Sequence, residues 1–133
     1  MRIRLEGIAV SDQDHALRFY TEKLGFVKKL DQEIAPGARL LMLVSPEDPD
    51  GAQLMLEPSG EHPPTKAYKE ALMKEGLPFT AFQVDDLDAE HERLTGLGVE
   101  FRMPPTDGPG SKMATFDDTC GHLIMIYQET GEA

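Results

Sequence analysis

The sequence predicts an α+β protein built of two tandem βαβββ modules related by pseudo-two-fold symmetry, and three observations carry that prediction. Residues 8–27, IAVSDQDHALRFYTEKLGFV, are echoed by residues 82–101, FQVDDLDAEHERLTGLGVEF. Val10, Asp12 and Asp14 match Val84, Asp86 and Asp88 at an offset of 74, and Leu24-Gly25 match Leu97-Gly98 at an offset of 73. Further on, Pro36-Gly37 and Arg39 match Pro109-Gly110 and Lys112 at 73, and Gly51 and Met55 match Gly121 and Met125 at 70. The offset drifts in one direction, whereas chance matches would scatter, so a unit of roughly sixty residues is duplicated.

Each element has a local cause. Residues 2–10 form a β-rich run closed by polar turn residues, the first strand. Ser11 with Asp14 resembles a capping box, and Ala16, Leu17, Tyr20 and Leu24 recur at helical spacing before Gly25 stops the helix. Strands are expected at 26–31, 39–44 and 52–57, the last two separated by the turn-rich SPEDPDG. Residues 59–78 form a linker in which Thr65 caps a short helix closed by Gly76 and Pro78. The second module repeats the first: strand 79–84, helix 86–97 stopped by Gly98, and strands 99–103, 112–116 and 122–128. The expected organisation is a single domain, 1–133, with module one at 1–58, the linker helix at 59–78 and module two at 79–133. Two four-stranded mixed sheets, each backed on one face by its helix, would curve towards each other around a cleft.

Composition narrows the function. The 133 residues allow one domain with a substantial core. Thirteen basic residues against 24 acidic ones leave a net charge of −11, which argues against nucleic acid and suits solubility or a cationic ligand. No apolar run approaches the ~20 residues that span a bilayer, and the first residues lack a signal peptide's apolar centre; no membrane association and a cytoplasmic location are expected. Cys120 is the only cysteine, which excludes an internal disulfide and a paired-thiolate zinc site.

The segments VSDQDHALRFYTEKLGF, FQVDDLDAEHERLTGLGVEF and FDDTCGHLIMIYQ, in this order, resemble the vicinal oxygen chelate superfamily of glyoxalase I, bleomycin-resistance proteins and extradiol dioxygenases. The resemblance covers nearly the whole chain and implies the paired βαβββ fold and a homodimer. It also implies where metal enzymes of the family place their ligands, on the first and last strand of each module. Those positions are Leu5, Met55, Phe79 and Met125 here, all apolar. Divalent metals of this family need imidazole nitrogen or carboxylate oxygen, so no metal and no cofactor is expected.

Strand alternation puts further residues in phase with these four. Gly7 and Ala9, Gln53 and Glu57, Ala81 and Gln83, Leu123 and Tyr127 should share the cleft-facing side. Ile8, Val10, Leu54, Leu56, Phe82, Val84, Ile124 and Ile126 should pack beneath the helices. The expected ligand-binding residues are therefore Leu5, Gln53, Met55, Phe79, Gln83, Met125 and Tyr127. Glu57 is either a general base or a solvated residue at a strand end. The histidines His15, His62, His91 and His122 read as solvated or structural. The leading functional reading is a metal-independent binding protein for a small, cationic or partly apolar molecule, with sequestration of an antibiotic or xenobiotic as one version. The alternative is an enzyme of the same superfamily: a metal-free isomerase or lyase with Glu57 as base, or a metal-dependent lyase or dioxygenase with displaced ligands.

Overall fold

The computed structural model describes residues 1–131. They form β1 (Leu5–Ala9), α1 (Gln13–Arg18) running into a π-helical turn (Phe19–Lys23), β2 (Val27–Ala35), β3 (Ala38–Ser45), β4 (Asp48–Glu57) and α2 (Pro63–Glu75). Then come β5 (Thr80–Gln83), α3 (Leu87–Gly96), β6 (Phe101–Gly108), β7 (Ser111–Asp117) and β8 (Leu123–Glu129). The strands make two four-stranded sheets, ordered β1-β4-β3-β2 and β5-β8-β7-β6. In each sheet the first strand runs parallel to the last strand of its module and the other pairs are antiparallel. The chain divides into two compact units between Lys66 and Ala67.

The duplication extends to hydrogen-bond register. Gly7 stands opposite Met55 and Ala9 opposite Glu57 in the first sheet. Ala81 stands opposite Met125 and Gln83 opposite Tyr127 in the second. These are the same pairs under the offsets of 74 for the first strand and 70 for the last. An ion pair is duplicated too: Arg39 binds Asp14 at 2.6 Å, and Lys112 binds Asp88 at 2.9 Å, each joining a helix start to the third strand of its module.

The helix entries differ from expectation in one respect. Asp12, not Ser11, is the N-cap: its carboxylate accepts from the His15 N–H at 3.0 Å, and Asp86 accepts from the Ala89 N–H at 3.1 Å in the repeat. The cap oxygen must reach the third residue of the helix, and Ser11 lies one residue too far out. Likewise α2 begins at Pro63, not after a Thr65 cap. Proline is well suited to a helix's first turn because its missing N–H is not needed there. Gly25 and Gly98 stop their helices at φ 87° each, a left-handed conformation without cost only for glycine.

β2, β3, β4, β6 and β7 run longer than the apolar runs suggest, whereas β1 and β5 are shorter than the expected 2–10 and 79–84. β2 and β3 join through the two-residue loop Pro36-Gly37, and β6 and β7 through Pro109-Gly110. Only two residues, Pro46 and Glu47, separate β3 from β4, so SPEDPDG is mostly strand rather than loop. The added segments are exposed ends and edges, held by backbone pairing, which leaves no mark in an apolar pattern. In β6, Pro104-Pro105 falls at a register irregularity between Met103 and Thr106, the kind of place where a strand tolerates proline.

One face of each sheet is the core. Ile8, Val10, Leu41, Leu43 and Leu56 are fully buried, together with Ala16 and Tyr20 of the first helix. In the second unit Ala114, Phe116 and Ile124 are fully buried, with Leu87 and Leu94 from α3. Gln13 is the polar residue in the first core. Its side-chain amide donates to the carbonyls of Arg39 at 2.7 Å and Leu56 at 2.8 Å, and its oxygen accepts from the Arg39 N–H at 3.1 Å. This ties α1 to both β3 and β4.

Candidate functional site

The side of each sheet away from its core carries the residues singled out from sequence. In the first unit, register puts Leu5 opposite Gln53, Gly7 opposite Met55 and Ala9 opposite Glu57. The face continues across β3 through Met42, paired with Met55, and Val44, paired with Gln53, and reaches β2 at Leu30, paired with Met42. Met55, Gln53, Met42 and Glu57 are half-buried, and Leu5 is 50% exposed. In the second unit Met125 pairs with Ala81 and Thr115, and Tyr127 with Gln83 and Met113. Met125 and Tyr127 are half-buried and Gln83 is exposed.

Phe79 lies just before β5, its N–H donating to the Leu123 carbonyl at 2.8 Å. Its ring packs edge-on to His122 at 4.7 Å and tilted to Tyr68 at 5.8 Å, so it is tied to the turn before β8 and to α2. Met42, Met113 and Thr115 were missed by sequence reasoning. The run Leu40-Leu41-Met42-Leu43-Val44 has no apolar–polar alternation, so only its pairing with β4 reveals which side each residue takes.

The four positions where the family resemblance places metal ligands hold Leu5, Met55, Phe79 and Met125, which offer two thioethers and no side-chain nitrogen or oxygen. That donor set does not fit a hard or borderline divalent ion. Among the described residues no cluster of three or more His, Cys, Asp or Glu side chains has the geometry of a metal site.

The other reactive side chains have structural tasks. His122 and Asp118 are fully buried, with His122 Nδ1 2.7 Å from an Asp118 oxygen. The second Asp118 oxygen accepts the Cys120 N–H at 2.8 Å and the His122 N–H at 3.0 Å, closing the turn between β7 and β8. Lys69 of α2 is 7% exposed and donates to the Cys120 carbonyl at 3.0 Å. Burial, and secondarily the Asp118 charge, push the Cys120 thiol up to about 12. It is therefore a thiol at neutral pH and a poor nucleophile. His91 packs edge-on to Phe101 at 4.5 Å. A polar depression of about 490 Å³ beside α1 is lined by Ser11, Asp12, Gln13, Asp14, Glu33 and Arg39 among others. Among the described residues that line it, the cation is Arg39, already held by Asp14 and Asp31.

Two βαβββ sheets in matched register, each with a half-buried methionine-bearing face, define the class. The family described as the Glyoxalase/Bleomycin resistance protein/Dioxygenase superfamily matches residues 3–126, and the chain belongs to it. Among its relatives, the uncharacterized protein YurT of Bacillus subtilis (strain 168) is 50% identical over 129 residues, covering 97% of this chain and 100% of YurT. The crystal structure of UcmS2 superposes with a TM-score of 0.81 at 28% identity, covering 97% of this chain and 98% of that one. TnmS3, an antibiotic binding protein from Streptomyces sp. CB03234, gives 0.76 at 26% identity, covering 98% and 97%.

Proposed function

We propose that this protein is a metal-independent binding protein of its superfamily that holds a small, partly apolar organic molecule, with sequestration of an antibiotic or xenobiotic as its use. The observation that carries this reading is the content of the core-free sheet faces. Leu5, Met42 and Met55 in one unit, and Met113 and Met125 in the other, stand where a ligand would meet thioether and hydrocarbon, with Gln53, Gln83 and Tyr127 as the polar groups beside them. Methionine suits this task because its unbranched, polarizable side chain adapts to irregular shapes. The likeness to TnmS3, which binds an antibiotic, favours the same broad use here. The protein works as a homodimer in the cytoplasm, and its ligand enters without a metal.

Thermal shift with nickel, zinc, manganese and iron(II) beside a panel of hydrophobic antibiotics tests the reading, since any ligand of the native state raises the melting temperature. Organic compounds should raise it and the metals should not. One tightly held ion per chain, found by elemental analysis after chelator-free purification, would overturn it. Sedimentation at micromolar concentration should show twice the single-chain mass.

A further inference from the structure

Glycine at position 7 leaves a vacancy beside its backbone, and the Glu57 carboxyl group fills it. A Cβ at Gly7 would lie 2.9 Å from the Glu57 carboxyl carbon and 3.0 and 3.1 Å from its two oxygens. Carbon does not sit that close to a carboxylate, so any other residue at position 7 would push the group aside. The seat is a consequence of register. Glu57 stands opposite Ala9 and Gly7 opposite Met55, so Glu57 leans back along β1 over the one residue without a side chain.

Among the described residues this carboxylate has no hydrogen bond and no ion pair. The other half-buried or buried acids among the described residues are matched: Glu90 by Arg93, Asp117 by Arg102 and Asp118 by His122. No described side-chain oxygen is both sealed from solvent and unpaired, so the Glu57 carboxylate stays open to water on its free side and can exchange that water for a charged donor of a ligand. The repeat sharpens the point. Module two carries Ala81 where module one has Gly7, and Tyr127 opposite Gln83 where module one has Glu57 opposite Ala9. In module one this position carries a charge beside Met55, which pairs with Met42, whereas its counterpart Tyr127 in module two is neutral.

We propose that Glu57, seated on Gly7, anchors a cationic nitrogen of the ligand, an ammonium or guanidinium group whose apolar body lies along Met55 and Met42. This rests on the reading that the face binds organic molecules, and it adds the charge of what is bound. A chain of net charge −11 also draws cations towards itself, so affinity and encounter rate favour the same ligand class.

The test uses three probes of one shape, phenylbutylammonium, phenylbutanol and phenylbutyrate, titrated calorimetrically into the full-length protein. The ammonium should bind roughly tenfold or more tighter than the alcohol, the usual gain of a charge-assisted bond, and the carboxylate weakest. Glu57→Gln should reduce the ammonium's affinity to that of the alcohol. Gly7→Ala keeps the charge but fills the seat, and should weaken the ammonium severalfold while both variants keep the wild-type circular dichroism. Equal binding of ammonium and alcohol, or a preference that survives Glu57→Gln, would overturn the anchor while leaving an apolar binding face in place. Binding of none of the three would overturn both.

Discussion

Asp118→Ala should be among the most damaging single substitutions in the second unit. The residue is fully buried, and its two oxygens serve three donors: the N–H groups of Cys120 and His122 and the imidazole of His122. Truncation removes the Asp118 acceptor from the buried His122 N–H, the part-buried Cys120 N–H and the buried His122 ring nitrogen. Hydrogen bonds to a charged group are worth ~1.5–3 kcal/mol each. The three are not additive, because the turn can relax and admit water. An unsatisfied buried donor costs about 1–3 kcal/mol, so with partial relaxation a total loss of about 3–5 kcal/mol is expected here. At roughly 3 °C per kcal/mol for a chain of this size, the melting temperature should fall by about 10–15 °C. Urea unfolding followed by far-ultraviolet circular dichroism measures it, with the midpoint falling and the slope unchanged. Asp118→Asn keeps the oxygen that accepts both backbone N–H groups and changes only the partner of the ring, so it should recover part of the loss. In a double-mutant cycle with His122→Ala, the two losses should sum to more than the double mutant's. A loss below about 1 kcal/mol for Asp118→Ala would show that this network does not hold the turn.

Gln13→Ala removes a side chain that bridges β3 and β4 from the start of α1, and should cost ~2–3 kcal/mol by urea unfolding, because two carbonyls and one N–H lose their partner. Thr119 has φ 62°, a left-handed conformation that strains a β-branched residue, so Thr119→Gly should leave stability unchanged or raise it by up to ~1 kcal/mol. The raised Cys120 thiol predicts slow alkylation by iodoacetamide at neutral pH in the native protein and a rate at least tenfold faster in urea, where burial no longer opposes the thiolate. The Arg39 guanidinium holds the Asp31 carboxyl below its usual range, so this pair stabilises the fold above the unfolded carboxylate pKa and fades as pH falls through the lower folded one. Asp31→Asn should therefore flatten the stability profile on the acid side, and an unchanged profile would show the pair to be inert.

The duplication was legible because repetition is a property of the chain itself. Offsets read between matched residues carried the strand phase with them. The family resemblance proposed the side taken by Leu5 and Met55, and the offsets carried that reading to Phe79 and Met125 before any pairing was known. Stop signals such as Gly25 and Gly98 were equally local, each needing only its own backbone angle. The lengths of β2, β4 and β6 were not legible. Edge residues are held by backbone bonds to a partner strand, and their side chains face solvent, so Gln32, Glu33 and Thr106 look like loop until the neighbour is in place.

The duplicated chain by itself determined two βαβββ modules and their order, and the family resemblance added four apolar residues, Leu5, Met55, Phe79 and Met125, at the positions it assigns to metal ligands. Tertiary structure alone decided which polar residues are structural and which are free to act. Gln13, Lys69, Asp118 and His122 are polar residue types with no local signal for burial, yet all are buried because each finds its partner across a turn or in another element. Glu57 looks like a solvated strand end. The parallel pairing of β1 with β4 lays it instead on Gly7, two residues distant in sequence register and adjacent in space. A side chain's chemistry depends on what surrounds it, and in a sheet those surroundings are set by strands far apart along the chain.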